Sequence, residues 1–300
     1  MSIGEKQLEA WAGIGSQVQS ASTYQTIKGV IDHKDAPYAG RQTSSYLQGS
    51  YGNDTNIVGV DSDVDIVLQC DSIYYYDLSG LPAPEQQLYR DTHKGAEYNY
   101  TTFKAEVGGW LHQHFGRDLD PGEKAMHIKA NGGRRKADVL PCVSFKRYTS
   151  YKGDNDPKTV WHPGICFFLP DGTRIENFPK QHHDNLVTKH QATNGYFKPM
   201  VRIIKNMRNR MRDDGLIANG IAPSYFIEGL LSNVPPELFG QSYERTFREA
   251  YNYIHGADRS KFVSGSRLHW LILKDRKTSW DTDKFDTFFE ALGAFWNAWK

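Results

Sequence analysis

The sequence predicts an α+β protein in which a β-sheet is followed by a C-terminal bundle of helices. Short runs of β-forming residues alternate with loops in the middle of the chain, whereas helical patterns dominate from about His182 onward. Strands followed by helices, and not alternating with them, are typical of this fold class. We therefore expect one domain over residues 1–181 and a helical domain over 182–300.

The individual elements follow from hydrophobic periodicity. Two helical segments lie within residues 5–34, the second over Ser16–His33, and a further helix covers Thr101–Phe115 and ends at Gly116. The predicted strands are Asp61–Cys70, Ala137–Ser144 and Gly164–Leu169. The predicted C-terminal helices are Tyr196–Arg212, Ser224–Leu231, Glu237–His255, Ser264–Leu273 and Asp283–Trp299.

Composition excludes several classes of protein. An apolar share of 39% in 300 residues is that of an ordinary globular chain, and a formal charge of +1 argues against a protein that coats nucleic acid. The three cysteines form no CxxC pair, so neither a disulfide framework nor a zinc ribbon is expected. No signal-peptide stretch and no membrane-spanning run is visible, which favours a cytoplasmic protein without a membrane partner.

Aspartates alternate with other residues at the start of the first predicted strand. Side chains alternate along a strand, so Asp61, Asp63 and Asp65 share one face, and Val64, Ile66 and Leu68 share the other. Carboxylates cannot be buried without a cation, and two at this spacing can converge on a pair of divalent ions. The alternative is a solvated acidic turn, which the apolar run Ile66–Leu68 makes less favourable.

Two further features strengthen the metal hypothesis. A glycine turn at Gly49-Ser50 can offer backbone N–H groups and a hydroxyl to a phosphate. The later run "RRKADVLPC" places Asp138 in a second β-type segment, from which a neighbouring strand could bring it beside Asp63 and Asp65.

This combination resembles the nucleotidyltransferase superfamily that contains DNA polymerase β. Gly49-Ser50, a twelve-residue spacer and Asp63-Val64-Asp65-Ile66 match the pattern of that superfamily, and Asp138 matches its third acid. Asp61 is excluded from the pair because its register requires Ser62 at an apolar position. The resemblance implies a polymerase β-like nucleotidyltransferase core with a mixed β-sheet, plus a C-terminal helical bundle that closes the nucleotide cleft.

The segments "QGS", "DSDVDIVL" and "ADVLPC" narrow the resemblance to the cGAS/DncV-like nucleotidyltransferases (CD-NTases), which make cyclic oligonucleotide signals in bacterial antiphage defence. In this family Gln48, Gly49 and Ser50 would belong to the nucleotide-binding turn. The zinc-binding insertion of the animal DNA sensor is missing, so no obligatory DNA partner is implied.

The helical half carries further matches. "VRIIKNMRNR" resembles the helix with a triphosphate-binding lysine, here Lys205, and "APSYFIEGLL" resembles the next helix, in which Ser224 would touch phosphate and Tyr225 would stack on a base. The alternative for the first helix is an ordinary solvated basic face, and this is our interpretation of Arg202 and Arg212. The adjacent His182 and His183 are interpreted as surface or core histidines.

The segment "ENFPKQHHDN" bears on substrate choice. In the family, members with Asn at the position of Asn177 tend to use pyrimidine nucleotides. A carboxamide presents a donor beside an acceptor, which complements the O4 and N3–H edge of uracil. A flipped amide would also fit the reversed edge of cytosine, so CTP stays an alternative; the resemblance favours UTP as one substrate, and the second nucleotide stays open. The alternative is that Asn177 merely caps the turn before Pro179.

The resemblance implies a reaction in which Asp63, Asp65 and Asp138 hold two Mg²⁺ ions, with Mn²⁺ as a substitute, while NTPs are joined into a cyclic product. It also implies an effector protein that binds this product. Two alternatives remain open: a nucleotidyltransferase that modifies RNA, a small molecule or a protein, and a nucleotide-binding module without turnover. The intact acidic residues argue against the second.

Overall fold

The structure is a computed structural model that describes residues 3–15, 17–58 and 63–299. The chain divides into two compact units. The sheet unit comprises Val18–Gln48 and Asp63–Phe178, and the helical unit comprises Met1–Gln17, Gly49–Ser62 and Pro179–Lys300. No helix within the described ranges is both long and apolar enough to cross a membrane.

The sheet unit contains the strands and three of the helices. Its helices are α2 (Val18–Ile31), α4 (Ala83–Thr92) and α5 (Tyr100–Phe115). Its strands are β1 (Thr43–Leu47), β2 (Val64–Asp77), β3 (Leu119–Pro121), β4 (Met126–Ile128), β5 (Ala137–Ser150), β6 (Val160–Phe168) and β7 (Arg174–Asn177). Helix α5 begins where the Asn99 side chain accepts a hydrogen bond from the Thr102 N–H and ends at Gly116, whose φ of 49° suits glycine.

Seven strands of the described residues form one mixed sheet. The order β1-β2-β5-β4-β3 contains one parallel pair, β2 with β5, and β5 is long enough to pair with β4 near its start and with β6 further along. Strand β7 pairs with β6. A parallel pair needs a long crossover connection, which α4 and α5 provide between β2 and β5.

The apolar side of the sheet is covered by helices. Helices α2 and α5 pack against β2 and β5, respectively. The buried side chains of these elements include Ile27, Ile31, Val64, Ile66, Phe103, Val107, Leu111, Ala137 and Val139. Because side chains alternate along each strand, burying this face leaves the residues between them, including Asp65 and Asp138, on the opposite face.

The helical unit has its own apolar core. Its elements are α1 (Glu5–Ala12), α3 (Gly49–Gly52), α6 (Pro179–Ala192), α7 (Phe197–Asp213), α8 (Ser224–Ser232), α9 (Tyr243–Gly256) and α10 (Thr282–Ala298). Helix α7 is at the centre, and Met200, Ile203, Met207 and Met211 on it are fully buried. Leu8 and Ala12 of α1 join the same core, so that α1 packs on α7 and α9.

Most predicted elements are confirmed. The expected α+β fold with a mixed sheet and C-terminal helices is present. The helices predicted at Thr101–Phe115, Tyr196–Arg212, Ser224–Leu231 and Asp283–Trp299 all form to within two residues, and each predicted strand lies largely within a longer observed one where the chain is described. The sequence analysis did not identify β1, β7, α4 or α6.

Two predicted helices are wrong in whole or in part. The segment Ser264–Leu273 is not helical, because Arg267 has a positive φ of 64° and the Ser264 and Ser266 hydroxyls bond to each other at 2.9 Å. Such side-chain bonds offer the backbone an alternative to the helix. The helix predicted at Glu237–His255 begins only at Tyr243, after the Ser242 side chain accepts a hydrogen bond from the Arg245 N–H.

The interpretation of Arg202 as a solvated residue is also wrong. Its side chain is 9% exposed and donates to the carbonyl oxygens of Ala12 and Asp54, both at 2.6 Å. The face of α7 that carries its basic side chains was expected to be solvated. It is instead largely covered by the segments around residues 12 and 54. Arg212, near the end of α7, is exposed as expected and pairs with Asp213.

The compact units divide the chain differently from the expected domains 1–181 and 182–300. The helical unit begins three residues earlier, at Pro179, and it includes two N-terminal segments that the sequence analysis assigned to the first domain. The physical reason is burial: Leu8 and Ala12 lie in the helical core, and the segment around Thr55 bonds to residues of α7 and α8.

Candidate active site

The three predicted carboxylates lie on one face of the sheet. Asp65 on β2 and Asp138 on β5 are register partners in the parallel pair. Asp63 precedes β2 by one residue and lies two positions before Asp65, so the alternation of a strand gives it the same orientation. The neighbours Val64 and Ile66 are fully buried on the opposite face. Burial of the apolar side chains of β2 and β5 on one face of the sheet thus turns the three carboxylates toward the other face.

Two of these carboxylates bind cationic or donor side chains of the protein. Asp63 Oδ2 lies 2.7 Å from Lys136 Nζ, and the Asp63 side chain is 29% exposed. Asp138 Oδ1 accepts a 2.6 Å hydrogen bond from Nδ1 of His127, its register partner on β4, and Asp138 is 23% exposed. Sequence reasoning missed His127, because only the pairing of β4 with β5 places it beside Asp138.

The carboxylate face offers oxygen ligands for a metal ion. Among residues 3–15, 17–58 and 63–299, no three His, Cys, Asp or Glu side chains are grouped so that they could hold a metal ion. The Asp63 carboxylate instead contacts Lys136, and the Asp138 carboxylate contacts His127. The donor set itself fits Mg²⁺, because hard divalent ions prefer carboxylate oxygens and the strand register aligns Asp65 with Asp138.

The Gly49-Ser50 turn forms the short helix α3. Gly49 has a φ of 65°, a conformation that favours glycine, and its carbonyl accepts from the Asn53 N–H at 3.1 Å. The Ser50 carbonyl accepts from the Thr55 N–H at 2.9 Å.

In the sheet unit, the Gln48 N–H donates to the Asp65 carbonyl, while Gln48 Oε1 is buried without a hydrogen-bond partner in the described chain. Asp61, which was excluded from the acidic pair, lies outside the described residues.

Lys205 is buried in the helical unit, only 3% exposed, and donates from Nζ to the Thr55 carbonyl at 2.7 Å. Lys198 lies about two helical turns earlier on α7. It pairs with the Asp54 carboxylate at 2.9 Å. The two lysines hold the segment that follows α3. Helix α7 therefore brings a cationic side chain to the residues directly after the Gly49-Ser50 turn.

Ser224 and Tyr225 open helix α8. The Ser224 hydroxyl is 3.5 Å from Arg208 Nη1, and burial lowers the pKa of Arg208 to about 10. A helix N-terminus presents free N–H groups and a partial positive charge, which suits an anion.

The Tyr225 ring stacks on His182, with 4.7 Å between centroids and 17° between planes, and burial raises the pKa of the Tyr225 hydroxyl. His182 itself is buried, so of the two interpretations, a surface or a core histidine, it is the core histidine.

Asn177 is the last residue of β7 in the sheet unit. Its Oδ1 accepts from the N–H of Phe178 at 2.9 Å, which is a turn-capping contact. Gly164 of β6 lies so close that a Cβ there would approach the Asn177 carbonyl oxygen to 2.7 Å. An amide oxygen has a second lone pair, so the capping contact leaves Asn177 able to bind a base edge.

Comparison with known proteins identifies the family. The sequence model of the cGAS/DncV-like nucleotidyltransferase C-terminal helical domain matches residues 184–297. A cyclic UMP-AMP synthase from Rhodothermus marinus is 31% identical over 301 residues, which cover 100% of this chain and 99% of that protein. The chain belongs to the cGAS/DncV-like nucleotidyltransferases. The predicted membership, in the clade that includes synthases of pyrimidine-containing cyclic dinucleotides, is confirmed.

Other comparisons agree with this CD-NTase assignment. A cyclic dipurine nucleotide synthase from Elizabethkingia meningoseptica is 32% identical over 275 residues, which cover 91% of each chain. The solved structure of the Rhodothermus marinus CdnE c-UMP-AMP synthase with Apcpp and Upnpp superimposes with a TM-score of 0.87 at 31% identity, covering 99% of this chain and 97% of that one. The protein is thus a nucleotidyltransferase, and its similar relatives are cyclic nucleotide synthases.

Proposed function

We propose that this CD-NTase joins NTPs into a cyclic di- or oligonucleotide signal that contains at least one uridine. The observation that carries the reaction is the alignment of Asp65 with Asp138 on adjacent strands, with Asp63 on the same face. Carboxylates on one face of a sheet can hold a pair of metal ions, which stabilise both the attacking and the leaving oxygen of an in-line displacement. The similarity to cyclic nucleotide synthases over the whole chain supports a cyclic product.

Asp63 and Asp65 would hold two Mg²⁺ ions, and Asp138 would share the ion nearer the attacking ribose hydroxyl; Mn²⁺ can substitute. When bound, the ions supply activation of that hydroxyl and stabilisation of charge at the α-phosphate. The ribose hydroxyl releases its proton to solvent and its oxygen forms a bond to the α-phosphorus, while the bond from that phosphorus to the leaving pyrophosphate breaks. A second transfer within the linear intermediate closes the ring. The carboxylates themselves fix the ions relative to the sheet.

Residues of the helical unit bind the rest of the nucleotide. Gly49 and Ser50 offer backbone N–H groups and a hydroxyl to the triphosphate, with Gln48 directly before them in the chain. Lys205 adds a positive charge, and Ser224 adds a hydroxyl at the N-terminus of α8. Tyr225 stacks on the base. The bond from Lys205 Nζ to the Thr55 carbonyl supports this assignment, because it brings the positive charge to the segment directly after the Gly49-Ser50 turn.

Asn177 selects the pyrimidine. Its carboxamide pairs with the O4 and N3–H edge of uracil, and the similarity to a cyclic UMP-AMP synthase supports UTP as one substrate. The product acts in antiphage defence through an effector protein that binds it, and synthesis needs no DNA. The protein works in the cytoplasm, where NTPs and Mg²⁺ are available.

The test is incubation of purified protein with each radiolabelled NTP in turn, together with the three other NTPs unlabelled, in Mg²⁺ or Mn²⁺. Products are treated with phosphatase, which removes terminal but not ring phosphates. We expect a phosphatase-resistant product labelled by UTP. Label that becomes fully phosphatase-sensitive, or that appears on added RNA or protein, contradicts cyclic synthesis.

A further inference from the structure

A carboxylate without a role in the proposed reaction lies buried in the helical unit. Glu228 on α8 is 2% exposed. Its Oε2 accepts from Asn53 Nδ2 at 3.1 Å and from His182 Nε2 at 2.8 Å, and its Oε1 accepts from the Thr55 hydroxyl. A buried carboxylate is tolerated only when donors surround it. Glu228 therefore fixes the positions of the three side chains that bind it.

Glu228 is ionised in this environment. Burial acts to raise its pKa, but the hydrogen bond and charge of His182, the charge of Lys205 and the hydrogen bond from Thr55 outweigh burial and hold the pKa below its usual value. Both carboxylate oxygens are then acceptors, which matches the three donors.

Two of the donors belong to the segment after the Gly49-Ser50 turn. The Thr55 N–H donates to the Ser50 carbonyl, and the Thr55 carbonyl accepts from Lys205. The Asn53 N–H donates to the Gly49 carbonyl. A shift of Asn53 or Thr55 would be transmitted to the turn through these bonds.

The third donor, His182, supports Tyr225. The two rings stack, and the Tyr225 hydroxyl bonds to Ser264 and Ser266. Gly265 leaves room for the imidazole, because a Cβ there would lie 2.5 Å from His182 Nδ1. That Nδ1 is buried without a partner in the described chain, so the ring is held by its Nε2 bond to Glu228 and by its neighbours. One face of Tyr225 is covered while the side chain stays partly exposed.

We propose that Glu228 and His182 are positioning residues for substrate binding. Glu228 anchors the triphosphate-binding turn through Asn53 and Thr55, and it anchors the base-stacking Tyr225 through His182. The inference rests on the proposed function, because it takes the roles of the turn and of Tyr225 from there. It adds that one buried carboxylate sets the positions of both the phosphate and the base contacts.

The experiment compares two probes, a non-hydrolysable UTP analogue and inorganic tripolyphosphate, by calorimetric titration. Only the first probe carries a base. His182→Phe and His182→Leu both remove the donor to Glu228, but only Phe keeps a ring behind Tyr225. Thr55→Val removes a donor on the side of the turn. His255→Gln, at an exposed position of α9, is the control. Thermal unfolding of each sample checks that it is folded.

The expected results differ between the link from Glu228 to Tyr225 and the link from Glu228 to the turn. His182→Leu should bind the UTP analogue about tenfold more weakly than His182→Phe, because base stacking depends on the position of Tyr225. The two variants should bind tripolyphosphate equally. Thr55→Val should weaken both probes by a similar factor, and His255→Gln should change neither. A merely structural role would weaken both probes in parallel with the unfolding temperature.

Equal binding of the analogue by the Phe and Leu variants overturns the link from His182 to Tyr225. Unchanged tripolyphosphate binding by Thr55→Val overturns the anchor of the turn. Tyr225→Ala distinguishes these failures from failure of the proposed function. If Tyr225→Ala weakens analogue binding while the two His182 variants are alike, only the positioning inference fails. If Tyr225→Ala has no effect, the base-stacking role fails as well.

Discussion

At the residue scale, Asp63 and Asp138 each have two competing partners: a metal ion in the proposed reaction and a side chain of the protein in this structure. Each must be ionised to bind a metal, and each is paired with Lys136 or His127 in the sheet unit. These contacts are partly exposed, so they contribute little to stability. The aspartates could be predicted from the alternation "DVDI" and from one later acid in a β-type run. Lys136 and His127 could not, because their proximity depends on strand register, which the sequence alone leaves undefined.

Asn177 gives the sharpest prediction about specificity. Asn177→Ser should lose the preference for UTP, because the shorter side chain cannot span the paired donor and acceptor of the uracil edge. The loss should be ~1–3 kcal/mol, or roughly tenfold to a hundredfold in discrimination. The measurement is a four-way NTP competition with products identified by mass spectrometry. A wild-type protein that makes only purine products, or a serine variant with unchanged preference, leaves Asn177 as the turn cap that its bond to Phe178 already makes.

Glu228 predicts how stability depends on pH. The pKa of Glu228 in the folded chain is below its ordinary value of 4.5, and the titratable groups that face it are His182 and Lys205. The stability from its ionisation is therefore present above pH 4.5 and is lost as the pH falls through the lowered pKa. Glu228→Gln should unfold at a lower temperature than wild type at neutral pH, where the carboxylate is ionised. Below pH 4.5 the margin should shrink; a margin that stays constant there contradicts this account.

Helix α7 gives the prediction at the scale of an element. Arg202→Met removes the donor to the carbonyl groups of Ala12 and Asp54, the first of these bonds being buried and the second partly buried, so it should lower the free energy of unfolding by about 1.5–3 kcal/mol. Arg212→Met is the matched control, because Arg212 is exposed on the same helix and should change stability by less than about 0.5 kcal/mol. Urea unfolding at 25 °C measures both. Equal effects of the two substitutions would contradict the burial of Arg202.

The same helix shows what periodicity can and cannot predict. The bounds of α7 were predicted to within one residue because its apolar residues recur at helical spacing. Its basic positions looked solvated, since nothing local reveals that the segments around Ala12 and Asp54 cover Arg202. The region Ser264–Leu273 failed for a local reason: its serines and a positive-φ Arg267 form turns where the apolar spacing suggested a helix.

At the scale of the whole molecule, chain order and compact units do not coincide. The helical unit takes in the first segment of the chain and the segment that carries Gly49 and Ser50. The sequence suggested a single division because composition changes once, near residue 182. Burial of Leu8 and the bonds of Thr55 to α7 and α8 are long-range contacts that composition cannot encode. The candidate site residues could nevertheless be proposed, because motif spacing points to them without knowledge of the units.

The central claim is that the carboxylate face of the sheet carries out nucleotidyl transfer. The most direct measurement is formation of phosphatase-resistant product by the double variant Asp63→Asn with Asp65→Asn, alongside a double control at two exposed aspartates, Asp35→Asn with Asp91→Asn. We predict no detectable product from the first variant and wild-type product from the second, with an unfolding temperature near that of wild type for both. A folded Asp63→Asn, Asp65→Asn protein that still makes the product would contradict the account.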